Sequence, residues 1–200
     1  MPKAADEQSP EFGALLRVLA ATGARRGEVC GLRWSDIDRA AGTVSIQRSV
    51  ATVAGGVVIK DTRTHAARRI AIDSETLAAL ARQRVRMEER ARMCRLAFNE
   101  DGYACTSEGD GSRPLHPDTI TGGFRRLCDK VGLKGVRLHD LRHLHATQLL
   151  AAGVPVRTVS GRLGHANAAT TLNVYAHFLE ASDREVVDVI AELLESPSQR

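Results

Sequence analysis

Residues 138–165 read LHDLRHLHATQLLAAGVPVRTVSGRLGH, and the glycines and the proline in this stretch separate two helical patterns. They predict one helix over residues 139–152 and a shorter one over residues 155–163. In the first helix His139 and Arg142 are three residues apart, so one helical turn places both side chains on the same face. Such a pair can bind one anion, although it is also common among ordinary surface and capping residues.

A histidine at a turn and a tyrosine follow this stretch. His165 comes directly after Gly164, and Tyr175 lies on the next predicted helix. The chain has only one other tyrosine, Tyr103. A phenol has a pKa of about 10 and becomes a nucleophile only where cations and proton acceptors stabilise its oxyanion. Tyr175 is therefore a candidate nucleophile, and a half-buried tyrosine with a hydrogen-bonded hydroxyl is the alternative.

Two charged groups of interest precede this region. Arg25 and Glu28 lie one turn apart at the start of a helix predicted over residues 26–32. Either Glu28 orients Arg25 towards a ligand, or the two form a plain salt bridge, which contributes little at a surface. A predicted hairpin carries Lys60 and leads to Arg63, although exposed basic residues are common on edge strands.

The remaining patterns predict a mixed, mainly α-helical fold with a small three-stranded antiparallel β-sheet. The strands are predicted at residues 44–50, 57–60 and 69–72, and further helices at residues 11–22, 75–95, 117–130 and 183–195. The polar residues 1–10 are expected to be disordered. The glycine-containing residues 99–113 are expected to form a long surface loop.

Composition places the chain among soluble single-domain proteins. It has 200 residues, of which 43% are hydrophobic and 26% charged, and this excludes a disordered or fibrous chain. No apolar stretch is long enough for a membrane span and no signal-peptide pattern is present, so we expect a cytoplasmic protein. The net charge of +4 permits a nucleic-acid partner without requiring one.

The four cysteines do not indicate a metal site or a disulfide framework. They are scattered singly and form no CxxC pair, which both a zinc ribbon and a redox motif would need; they are Cys30, Cys94, Cys105 and Cys128. We expect reduced, structural thiols.

Four segments in this order resemble the tyrosine recombinases, or phage-type integrases. They are TGARRGEVCGLRWSDID, IKDTRTHAARRIAI, LHDLRHLHATQLLAAGV and RLGHANAATTLNVYAHF, and the resemblance spans about residues 10–179. It implies the DNA breaking-rejoining fold, with a catalytic domain over residues 11–179. It also implies a site-specific DNA recombinase that cleaves and rejoins DNA through a 3′-phosphotyrosyl intermediate and strand exchange.

The resemblance assigns a role to each candidate residue. Tyr175 is the implied nucleophile. Arg25 and Arg142 are implied to clamp the scissile phosphate, and His165 to add a hydrogen-bond donor. All three act on the phosphate oxygens, where negative charge grows in the transition state. His139 is implied to assist proton transfer at the phenol. Glu28 is implied to support the Arg25 region. His143 is expected to be a core histidine or to support the site from behind, because the His139/His143 spacing lacks a third ligand for a metal. Two guanidinium groups then take the place of a metal ion, so no metal and no other cofactor is implied.

The hairpin departs from the family pattern. The family carries a lysine that protonates the leaving 5′-oxygen, shortly before an arginine that opens the next strand. The matching register here falls on Arg63, ahead of Arg69, and Arg63 is a poor proton donor because a guanidinium stays charged. Lys60 has suitable chemistry, but its odd offset places it on the opposite face of a strand. We prefer Arg63 by position and keep Lys60 as the alternative.

The resemblance also implies partners. We expect double-stranded DNA as the substrate, a homotetramer on DNA and a monomer without it, located in the cytoplasm at the nucleoid. The separate core-binding domain that usually precedes the catalytic domain is expected to be absent. Residues 180–200 would form an amphipathic helix and tail that packs either on its own core or on a neighbouring protomer. The rival functions are a type IB topoisomerase and a DNA-binding module without catalysis.

Overall fold

The structure of the chain is a computed structural model that describes residues 5–7, 9–61, 67–165 and 167–172. Its helices are α1 (Pro10–Thr22), α2 (Arg26–Cys30), α3 (Ser74–Met93), α4 (Pro117–Lys130), α5 (Asp140–Ala151) and α6 (Val156–Leu163). Residues 168–172 are also helical. Within these residues no helix combines the length and apolar character that a membrane crossing requires.

Five short strands form two antiparallel sheets: β1 (Ile37–Asp38), β2 (Thr43–Ile46), β3 (Arg48–Val53), β4 (Gly56–Asp61) and β5 (Arg68–Ala71). The first sheet has the order β1-β2-β5, and β3 pairs only with β4 in the second. The predicted fold class, mainly helical with a small antiparallel sheet, is confirmed.

The pairing of the strands differs from the expectation. The run predicted over residues 44–50 is divided at Gln47, so that β2 pairs with β5 while β3 continues into the hairpin with β4. The third strand of the larger sheet is β1, which lies between the helix predicted at residues 26–32 and the strand predicted at residues 44–50. Alternating burial continues across Gln47, and periodicity alone does not specify the partner of each strand.

A single large core joins the helices to both sheets. Its fully buried members come from all of the helices α1 to α4 and from the strands, and include Val18, Val29, Val44, Ile46, Ile70, Met87, Ile120, Phe124 and Leu127. A smaller cluster packs α5 against α6 through Ala146, Leu150, Val159 and Leu163. These two clusters fix the positions of α2, β5, α5 and α6, which carry the candidate site.

The helix ends follow from their capping residues. Gly23 and Gly164 end α1 and α6 in the left-handed conformation, with φ of 62° and 65°. The cap of α3 is Asp73, whose carboxylate accepts a hydrogen bond from the Thr76 amide at 2.9 Å. Both Asp73 and its neighbour Ser74 are good capping types.

Two segments are more ordered than their composition suggested. Residues 5–7, expected to be disordered, are helical, and Ala5 is fully buried in the main core. The predicted surface loop over residues 99–113 is buried at residues 102–106, where Tyr103 forms an antiparallel bridge with Arg33. Both contacts are made with residues distant in sequence, which local composition cannot reveal. The predicted helix at residues 183–195 lies outside the described residues.

Candidate active site

Arg25 lies directly before α2, where Gly23 has turned the chain out of α1. Its backbone N–H donates to Oε2 of Glu28 at 2.7 Å, and its Nη1 donates to Oε1 at 3.1 Å. The Glu28 side chain is 3% exposed, whereas that of Arg25 is 44% exposed. Glu28 therefore holds Arg25 from the protein interior and leaves the guanidinium accessible to a ligand.

Glu28 has a second arginine partner that sequence reasoning did not assign. Arg68 donates from Nη1 and Nη2 to the two carboxylate oxygens at 3.1 and 2.8 Å, and its side chain is 8% exposed. Burial alone would raise the pKa of Glu28, but the hydrogen bonds and charge of Arg68, together with Arg25, outweigh it and lower that pKa. Glu28 thus stays ionised between two guanidinium groups.

The arginine that opens the strand after the hairpin is Arg68, one residue before the expected Arg69. Arg68 is the first residue of β5 and shares its inward face with the buried Ile70. Arg69 is 63% exposed and lies 3.7 Å from Asp38. The alternation of residues along β5 is the signal that could have identified Arg68, because Ile70 marks which face of the strand is buried.

The Arg142 side chain extends from α5 towards the ends of α1 and α6, and the residue is 5% exposed. Its Nη1 donates to the carbonyl oxygen of Gly23 at 2.5 Å, and its Nη2 donates to that of Leu163 at 2.6 Å. Burial, reinforced by the charge of Arg25, lowers the pKa of Arg142 to about 10, so the side chain is charged at neutral pH. A guanidinium has five N–H donors, so these two bonds do not use all of them.

His165 follows the left-handed turn at Gly164. Its Nδ1 lies 2.8 Å from Oγ1 of Thr171, and the Nη2 of Arg25 lies 3.5 Å from the carbonyl oxygen of Gly164. Burial and the positive charges of Arg142 and Arg25 lower the pKa of His165 to about 4. His165 is therefore neutral at physiological pH and offers one N–H donor.

His139 is the last residue before α5, and its ring meets that of His143 edge to face with centroids 4.7 Å apart. Burial, followed by the proximity of His143 and Arg142, lowers the pKa of His139, so this imidazole is also neutral at pH 7. In the part of the chain that the structure describes, no group of three or more potential metal ligands occurs.

Three of these groups line one open cleft of about 440 Å³. Arg25, His139 and Arg142 line it together with apolar and hydroxyl groups from α1 and α4, such as Leu19 and Thr121. Arg26 and Arg137 also line the cleft, so four arginines and a neutral imidazole face it, an arrangement that suits a phosphate group.

Lys60, one candidate for serving the leaving oxygen, does not line this cleft. Lys60 is exposed on β4, opposite Ser49 of β3, and Ser49 in turn packs against Gly27 near the start of α2. Arg63 and Tyr175 lie outside the described residues. The structure thus brings together Arg25, Glu28, His139, Arg142 and His165, with His143 beside His139.

Comparison with known proteins identifies the fold and the family. The Phage integrase family matches residues 3–181. The ICEBs1 integrase of Bacillus subtilis (strain 168) is 29% identical over 184 residues, which cover 92% of this chain and 49% of that protein. The chain spans about half the length of the curated relatives it matches.

Two solved structures share the architecture. XerA recombinase has a TM-score of 0.68 at 26% identity, and the match covers 98% of this chain and 62% of that one. The Tn1549 transposon integrase, in complex with a circular intermediate DNA, has a TM-score of 0.72 at 25% identity and covers 89% and 58%. The family match extends over most of the present chain, and the chain therefore belongs to the phage integrase family.

Proposed function

We propose that the chain is the catalytic domain of a tyrosine-type site-specific DNA recombinase. The observation that carries this proposal is the convergence of Arg25, Arg142 and His165 on one region, at the ends of α1 and α6. The family membership and the DNA complex of the Tn1549 integrase support it. Residues 11–179 would form the catalytic domain.

The scissile phosphate would bind between the two arginines. Arg25 and Arg142 would donate to its non-bridging oxygens. Neutral His165 would add a hydrogen bond from Nε2, while its Nδ1 accepts a hydrogen bond from the Thr171 hydroxyl. Negative charge increases on these oxygens in the pentavalent transition state, so donors fixed in advance stabilise it more than the ground state.

Tyr175 would supply the nucleophile. Its Oη attacks phosphorus, the bond from phosphorus to the 5′-oxygen breaks, and the DNA strand stays attached through a 3′-phosphotyrosyl bond. The phenolic proton passes to His139, which can accept it because the imidazole is neutral at pH 7. The 5′-hydroxyl of a partner strand reverses these steps and restores the diester.

The departing 5′-oxygen needs a proton or a positive charge. Arg63 occupies the matching register in sequence and would stabilise the oxygen electrostatically. Lys60 is a better acid. It pairs with Ser49 of β3, which packs against Gly27 near the start of α2. We retain Arg63 as the preferred group and Lys60 as the alternative.

The substrate would be double-stranded DNA, bound by a monomer that assembles into a homotetramer on its sites in the cytoplasm, at the nucleoid. Residues 180–200 would form the C-terminal helix and tail, packed on a neighbouring protomer or on their own core. Glu28 and His143 would support Arg25 and His139.

Covalent trapping tests the proposal. A library of short nicked duplexes of randomised sequence is incubated with the chain, and adducts that survive denaturing detergent are recovered and sequenced. We expect adducts with the wild type and none with Tyr175→Phe, which removes one hydroxyl. No adduct with either protein would instead favour a DNA-binding module. On the recovered sequence, exchange between paired sites supports a recombinase, whereas relaxation of supercoiled DNA without exchange supports a topoisomerase.

A further inference from the structure

Arg68 connects the two halves of the candidate site. We propose that it is a positioning residue, which fixes the Arg25 guanidinium through Glu28 and fixes the turn at Gly164 that delivers His165. This inference rests on the proposed function, because it assigns a role within the same phosphate site.

The first connection runs through the Glu28 carboxylate. Its Oε1 accepts from Nη1 of Arg25 and from Nη1 of Arg68, each at 3.1 Å. Its Oε2 accepts from the Arg25 amide at 2.7 Å and from Nη2 of Arg68 at 2.8 Å. Four donors from two arginines thus fix the carboxylate. Replacing Arg68 would leave the buried Glu28 carboxylate with Arg25 as its single arginine partner. The orientation of Arg25 would then depend on the Arg25–Glu28 pair alone.

The second connection runs through α6. Nε of Arg68 donates to the carbonyl oxygen of Arg162 at 2.7 Å, in the last turn before Gly164. The guanidinium also covers Gly164, since a Cβ there would lie 2.7 Å from Nη1 and 3.0 Å from Cζ. The residue after this glycine is His165, so Arg68 supports the main chain that presents the imidazole.

The geometry requires an arginine. Nε and the two Nη atoms point in different directions within one plane, and here they reach α6 and Glu28 at the same time. A lysine carries one ammonium group on a flexible stem and cannot hold both partners in a fixed orientation. Arg68→Lys therefore keeps the charge and removes the connection.

The test combines a measurement on the free protein with a kinetic cycle. Side-chain ¹⁵N NMR of the wild-type chain at low temperature should show protected Nη–H signals for Arg25, because its Nη1 donates to Glu28, and Arg68→Lys should abolish that protection. Arg68→Gln serves as a second variant, and thermal unfolding verifies that each one folds. Arg69→Gln is the matched control, because it removes a charge from the adjacent, exposed position of the same strand.

Single-turnover cleavage of the duplex recovered by covalent trapping gives the second readout. We expect Arg68→Lys to slow adduct formation about tenfold or more at saturating DNA, which corresponds to about 1.4 kcal/mol. Arg25→Lys should slow it further. In that background Arg68→Lys should cost less than it does in the wild type, because one of the two connections of Arg68 runs through Arg25. Arg69→Gln should keep the wild-type rate at saturating DNA.

The outcomes separate this inference from the proposed function. Retained protection of Arg25 in Arg68→Lys, or rate losses that multiply in the double variant, would overturn the positioning role. If no DNA yields an adduct with the wild type but the Arg25 signal still depends on Arg68, the positioning role stands and the recombinase proposal fails.

Discussion

The guanidinium of Arg142 donates a hydrogen bond to the carbonyl oxygen of Leu163 at 2.6 Å, so α5 is tied to the last residue of α6. A second bond from the same side chain reaches the carbonyl oxygen of Gly23 at the end of α1. The charged centre of the cleft is thus oriented by protein groups alone. Donors held in this way need little rearrangement when a phosphate binds.

Arg142→Lys should abolish most cleavage, because a lysine cannot bridge two carbonyl oxygens and still offer paired donors to a phosphate. Loss of one such group costs about 100-fold or more in rate. Single-turnover adduct formation on a trapped duplex measures this effect. Arg157→Lys, the same replacement at an exposed position on α6, is the control and should leave the rate unchanged. Wild-type rates in Arg142→Lys would remove this residue from the site.

Acidification should destabilise the protein through His165. The ordinary pKa of histidine is about 6.5, and in the folded chain that of His165 is lowered to about 4. Between these values the unfolded chain binds a proton that the folded chain does not, so the free energy of unfolding falls as the pH decreases. Urea denaturation across this interval should give a smaller slope against pH for His165→Gln than for the wild type. Identical slopes would show that the imidazole titrates normally.

Gly164→Ala should destabilise the protein more than Gly153→Ala. Both glycines have positive φ, 65° and 76°, and an L-residue in that conformation costs about 1–2 kcal/mol. A Cβ at Gly153 would meet nothing within 4 Å, whereas at Gly164 it would overlap the Arg68 guanidinium. Urea denaturation should therefore show an additional loss of about 1 kcal/mol or more at Gly164. Equal losses would mean that Arg68 moves aside without cost.

A sulfur substitution should identify the group that serves the leaving oxygen. A thiol has a pKa of about 8.5 and departs without a proton far more readily than an alcohol. We expect Arg63→Gln to slow cleavage of ordinary DNA about 100-fold and to recover when sulfur replaces the 5′-bridging oxygen. Lys60→Gln is the comparison, and selective recovery of that variant would transfer the role to Lys60.

Local patterns in the sequence predicted most helices correctly. Pro117 begins α4 as expected, and Gly164 ends α6, because both residues act on their own turn of the chain. Pairing between distant segments was not predictable in the same way. The division of a strand at Gln47 and the burial of Tyr103 both depend on partners that periodicity does not specify.

The residues of the candidate site were also only partly predictable, because local patterns do not specify contacts between distant segments. Arg25, His139 and Arg142 were identified from spacing and resemblance, and the structure places them around one cleft. Arg68 was not identified, because a shift of one residue along a strand exchanges its buried and exposed faces. The burial of Ile70 in the core shows that Arg68, and not Arg69, faces inward.

The β3–β4 hairpin stands outside the three-stranded sheet, and β4 is exposed along nearly all of its length. Val57 and Ile59 on this strand are 36% and 46% exposed. Substitutions on β4 therefore disturb little of the interior, in contrast to changes on β5. Polar replacements of Val57 and Ile59 can therefore probe this surface without disturbing the core, while Lys60 on the same strand stays unchanged as a candidate acid.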